Sequence, residues 1–96
     1  MNRENIVKTI ETAIENEAEI GNIQIPEINE KTPIYGPRGH FDSLGLVSLL
    51  ASIEDNFAER GINLTIASER AFSRKISPFL SVRTLANFIA EIINEK

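Results

Sequence analysis

Ninety-six residues, 42% apolar and 25% charged, fit one globular domain spanning 1–96 and exclude a disordered chain. The sequence has no cysteine, which excludes a disulfide framework, a thiolate metal site and a cysteine nucleophile. The net charge of −4 is uneven: residues 1–30 hold two basic and seven acidic side chains, and the nearest candidates for a basic patch, Arg70, Arg74, Lys75 and Arg83, are weak evidence for nucleic acid and read either as contacts for an anionic partner or as a solvated face, the solvated reading being favoured.

The first stretch, "MNRENIVKTIETAIENE", is charged and periodic, unlike a signal peptide. Ile6, Val7, Ile10, Ala13, Ile14 and Ala18 recur at helical spacing, which predicts an amphipathic helix over 3–19 with Gly21 as its stop. From Asn22 to Phe41 the pattern breaks at Pro26, Pro33, Gly36, Pro37 and Gly39. A connection of this length is often functional. Ile23, Ile25, Ile28, Ile34 and Tyr35 predict that it packs onto the body.

A second helix is expected from about Ser43 to Arg60, stopped by Gly61. "INLTI" follows as a short extended link, and "ASERAFSRK" is long enough for a short third helix with Ala71 and Phe72 inward. Pro78 breaks it, and Ser81 caps a last helix with Val82, Leu85, Phe88, Ile89, Ile92 and Ile93 on one face. The sum is an all-α, four-helix bundle: three main helices, a short third helix and a long loop between helices 1 and 2. No apolar run approaches the ~20 residues of a membrane span, so no membrane insertion and a cytoplasmic monomer are the expectations.

The second helix opens on two cap candidates, Asp42 and Ser43. With Asp42 as N-cap, its carboxylate accepts from the amide of Leu44 or Gly45, Phe41 and Leu46 form a hydrophobic staple, and Ser43 points outward. With Ser43 as cap the local structure is equally ordinary. Leu46, Leu49, Leu50, Ile53 and Phe57 form a stripe sufficient to seat the helix. Leu44, Val47 and Ala51 extend the apolar surface beside Ser43. Periodicity leaves two readings open for this second stripe, a further core face or an exposed docking strip.

The segment "FDSLGLVSLLASIEDNF" resembles the attachment-site segment of acyl carrier proteins. That family carries Asp-Ser-Leu at the start of its second helix, an apolar residue three positions after the Leu, as Val47 is here, and then a pattern matched by Leu49, Ile53, Glu54 and Phe57. The order of helices and the final "LSVRTLANFI" are similar in outline over most of the chain. The resemblance implies that a phosphopantetheinyl transferase attaches 4′-phosphopantetheine to Ser43, and that the arm carries acyl or aminoacyl groups as thioesters to loading and transferring enzymes. It implies a cofactor-binding role for Asp42, Ser43 and Leu44. It implies partner contact by Leu44, Val47, Ala51, Glu54 and Asp55, the two carboxylates facing basic enzymes. Gly45 would leave room for the arm or a partner. Gly45 and Ser48 stand where acidic residues are common in the family, and the "KTPIYGPRGH" loop and the Arg70–Arg83 region depart from it. These departures imply a specialised carrier, in secondary metabolism, lipid modification or a dedicated transfer pathway, instead of the main fatty-acid one.

Two rivals follow from the residues. An autonomous enzyme needs a base for Ser43, and His40 is the only histidine, read otherwise as a solvent-facing loop residue. A helical interaction module needs no prosthetic group and binds a partner through the apolar strip. No metal site is expected, since Asp42 lies more than two helical turns from Glu54 and Asp55.

Overall fold

The computed structural model describes residues 2–94. Among them the chain forms four α-helices: α1 (Arg3–Ile20), α2 (Ser43–Glu59), α3 (Glu69–Phe72) and α4 (Val82–Asn94). An isolated bridge between Pro33 and Ser81 is the only extended pairing among the described residues. The all-α bundle expected from periodicity is the observed architecture.

Each main helix starts where a side chain satisfies an otherwise unpaired amide. The Asn2 side chain accepts from the Asn5 amide at 2.9 Å. The Asp42 carboxylate does the same for Gly45 at 2.8 Å. Ser81 Oγ accepts from the Thr84 amide at 3.3 Å. At its far end α1 closes through the Gly21 amide, which donates to Glu17 O at 2.9 Å.

Helix α1 is the centre of the packing and lies against both α2 and α4. Its six apolar positions at helical spacing are all buried, and Thr9 is buried with them. Thr9 Oγ1 accepts from the Arg60 guanidinium at 2.9 Å, which ties the C-terminal end of α2 to α1. Helix α2 buries Leu46, Leu49, Leu50, Ile53 and Phe57, the stripe marked by the sequence. Helix α4 buries Val82, Leu85, Ala86, Phe88 and Ile89. Ile92 and Ile93 are half-buried, at the end of the contact with the body.

The α1–α2 loop packs onto the bundle through Ile34, which is buried, and through Ile23, Ile25, Ile28 and Tyr35. Its backbone pairs with the segment before α4: the Ile34 amide donates to Leu80 O at 2.8 Å and the Tyr35 amide to Phe79 O at 3.0 Å. The loop then doubles back, with the Phe41 amide donating to Ile34 O at 2.9 Å. Gly39 makes this return possible. A Cβ there would lie 2.5 Å from Ile34 O and Tyr35 Cα.

One core assignment is corrected. Ala71 of α3 is buried as expected, but Phe72 is 71% exposed. Helix α3 has only four residues, too short to turn two adjacent positions toward the core. Phe72 instead packs edge-on against the ring of Phe79, centroids 5.9 Å apart.

Candidate functional site

Ser43 is the first residue of α2, preceded by Asp42 as N-cap. Of the two cap assignments the sequence left open, the structure takes Asp42. One Asp42 oxygen accepts from Gly45, and its backbone carbonyl accepts from the Leu46 amide at 2.8 Å. Ser43 is exposed, and its hydroxyl is free of the capping role. The backbone amides of Ser43 and Leu44 have no acceptor among the described residues, so the helix mouth keeps two donors beside the hydroxyl.

The hydroxyl has a neighbour that the sequence did not suggest. Tyr35 Oη lies 3.1 Å from Ser43 Oγ. Tyr35 arrives there because the loop from Gly36 to Gly39 folds back beside the start of α2, with Gly39 N donating to Gly36 O at 2.9 Å. The sequence signal was the turn-forming "YGPRG", which shows that the chain reverses but not what the Tyr35 side chain meets. His40, the base an autonomous Ser43 nucleophile would need, makes no hydrogen bond to Ser43 among the described residues. It is half-buried, and its side of the helix mouth includes Asp42 and Leu44.

The second apolar stripe of α2 faces solvent. Leu44 is 82% exposed and Val47 65% exposed, and Ala51 is exposed with them. Leaving a Leu and a Val one turn apart mostly in solvent forgoes much of the roughly 1.5–3 kcal/mol that full burial of each contributes. The strip runs along α2 directly from Ser43.

The two acidic candidates part company. Asp55 is exposed. Glu54 is half-buried, and its Oε2 accepts from the Ile66 amide at 2.8 Å, so this oxygen holds the 62–66 link against α2. Further carboxylates lie near the strip. Glu17 of α1 and Glu59 of α2 share a shallow groove of about 430 Å³ with Asp55, Ser48 and Ala51. Ser48 Oγ donates to Glu17 Oε2 at 3.0 Å, which brings an α1 carboxylate beside the strip.

Gly45 has a packing role as well. A Cβ there would meet the Phe41 ring at 3.1 Å and Asp42 Oδ1 at 3.3 Å. Gly45 therefore lets the buried Phe41 and the Asp42 cap approach closely, and it also lines the cleft between α1 and α2.

The basic residues of the C-terminal third are partly consumed within the fold. Arg74 pairs with Glu91, and Arg70 lies 3.8 Å from the same carboxylate. Both guanidiniums also sit over the Phe88 ring, at 5.0 and 6.0 Å from its centroid. No cluster of His, Asp and Glu able to hold a metal ion occurs among the described residues. No helix among them is long and apolar enough to cross a membrane.

These features define a class: a small all-α bundle that presents a serine hydroxyl at a helix mouth beside an exposed apolar strip. No protein-family profile, curated protein or solved structure matches this chain.

Proposed function

We propose that this chain is an acyl carrier, with 4′-phosphopantetheine attached through Ser43 and acyl or aminoacyl groups presented to partner enzymes. The observation that carries the reading is the combination at the start of α2: an exposed Ser43 that does not cap, followed on the same helix by exposed Leu44 and Val47.

The residues fit such a group. The Ser43 and Leu44 amides and the positive end of the α2 dipole favour a phosphodiester on Ser43 Oγ. Asp42 opposes it by like charge, but its carboxylate is engaged by the Gly45 amide. On attachment Ser43 Oγ forms the bond to phosphorus, the pyrophosphate bond of coenzyme A breaks, adenosine 3′,5′-bisphosphate departs as the leaving group, and the serine proton passes to a base of the transferase. When bound, the group supplies a terminal thiol, which a chain without cysteine lacks. Leu44, Val47 and Ala51 form the apolar part of the surface that meets a partner. Asp55, Glu59 and Glu17 give it an acidic margin suited to basic enzymes. The partners are a phosphopantetheinyl transferase and the enzymes that load and unload the arm.

The same exposed strip also supports a second reading, an interaction module that binds a partner without any prosthetic group. Intact-mass measurement separates the two. Incubation with coenzyme A and a broad-specificity phosphopantetheinyl transferase adds one phosphopantetheinyl group to the wild type and none to Ser43→Ala. An unmodified wild-type mass under conditions that load a control carrier removes the carrier reading and leaves the module.

A further inference from the structure

Two clefts lie near Ser43, and their walls differ in charge. The first, about 340 Å³, lies on the loop side, with Pro33, Tyr35, Pro37, Arg38 and Leu80 among its walls. Its lining holds one cation and no carboxylate. The second, about 530 Å³, lies between the end of α1 and the start of α2, with Ile20, His40 and Leu44 in its walls. Glu17 and Asp42 line that second cleft.

Tyr35 joins the first cleft to the attachment atom. The residue forms part of the cleft wall, while its hydroxyl lies 3.1 Å from Ser43 Oγ. A group bonded to Ser43 Oγ therefore leaves the helix beside Tyr35. From there a phosphodiester meets either the cleft with Arg38 or the cleft with two carboxylates, and its negative charge selects the former. Arg38 is exposed and forms no ion pair among the described residues, so its guanidinium is available.

We infer that the loop-side cleft holds the proximal part of a Ser43-linked phosphopantetheine. Tyr35 and Arg38 bind its phosphodiester, and Pro33, Pro37 and Leu80 pack on the branched methyl groups that follow. This placement rests on the proposed attachment at Ser43. The cleft is at the small end of the roughly 300–1,000 Å³ range of small-molecule sites. It accommodates the start of the arm and leaves the thiol and its cargo outside, within reach of an enzyme. Leu80 is 40% exposed, more than an ordinary core leucine, as a wall awaiting an apolar cover would be.

The test uses the full chain, labelled with ¹³C and ¹⁵N and loaded enzymatically with an unlabelled arm. Isotope-filtered NOE spectra are expected to connect the geminal methyl protons of the arm with the Tyr35 ring and the Leu80 methyls. Tyr35→Phe and Arg38→Gln are expected to move the ³¹P resonance of the phosphodiester, and Leu80→Ala to abolish the methyl contacts, all with unchanged helix content. Glu4→Gln, in the exposed first turn of α1 and outside the cleft, is expected to leave the ³¹P resonance in place. Contacts to Ile20, Leu44 or Val47 instead, or no contacts to the protein, overturn the placement while the carrier reading stands. A wild-type chain that accepts no arm overturns both, and the mass spectrum reports that separately.

Discussion

Glu54 Oε2 accepts a hydrogen bond from the Ile66 backbone amide at 2.8 Å, linking the middle of α2 to the segment that leads into α3. Ile66 is fully buried, so this carboxylate closes the core beneath a stretch with no regular structure of its own. Glu54→Ala leaves the amide without an acceptor, at a cost of about 1–3 kcal/mol in urea unfolding. Glu54→Gln keeps an acceptor oxygen and costs less. An Ala variant within ~0.5 kcal/mol of wild type would show that the contact is dispensable.

Asp42 and Ser43 are adjacent, yet their substitutions are expected to separate stability from function. Asp42→Ala removes the N-cap and is expected to lower stability by ~1 kcal/mol. Ser43→Ala is expected to change stability by no more than ~0.5 kcal/mol, because the side chain is exposed and does not cap. Chemical denaturation of the two variants side by side checks this. A large loss in Ser43→Ala would mean that the contact with Tyr35 is structural.

The two faces of α2 give a second contrast. Leu49 is fully buried and Val47 is 65% exposed. Leu49→Ala is expected to destabilise by about 2–5 kcal/mol through lost burial and a residual cavity. Val47→Ala is expected to stay within ~0.5 kcal/mol in unfolding, while weakening association with any enzyme that docks on the strip. Equal losses of stability from the two substitutions would place Val47 in the core and remove the docking face.

Glu11 gives a pH dependence. Partial burial raises its pKa above the ordinary value of 4.5, helped by the charges of Glu15 and Glu30 and opposed by Lys8. Because the folded-state pKa is raised, the folded chain holds this proton more tightly than the unfolded one. The stabilisation from protonation is therefore full below the unfolded value and is lost as pH rises through the folded one. At pH 7 the carboxylate is a small liability. Glu11→Gln is expected to raise the melting temperature at pH 7, with the gain over wild type shrinking as pH falls through the raised folded-state value toward 4.5. A Gln variant less stable than wild type at pH 7 would contradict this.

The helices and most of the core were legible in the sequence because their information is local. Ile6 to Ala18 and Leu46 to Phe57 repeat at the helical period, and Asp42 and Ser81 satisfy the first amides of the helices they precede. Periodicity predicts a face but not how many neighbours the bundle supplies to it. Only the tertiary structure therefore decided that Leu44 and Val47 stay in solvent, that Phe72 turns outward and that Glu54 serves the chain itself. The meeting of Tyr35 with Ser43 was equally out of reach. It depends on a loop that returns across the bundle, and the spacing of residues along a chain does not encode where such a loop lands.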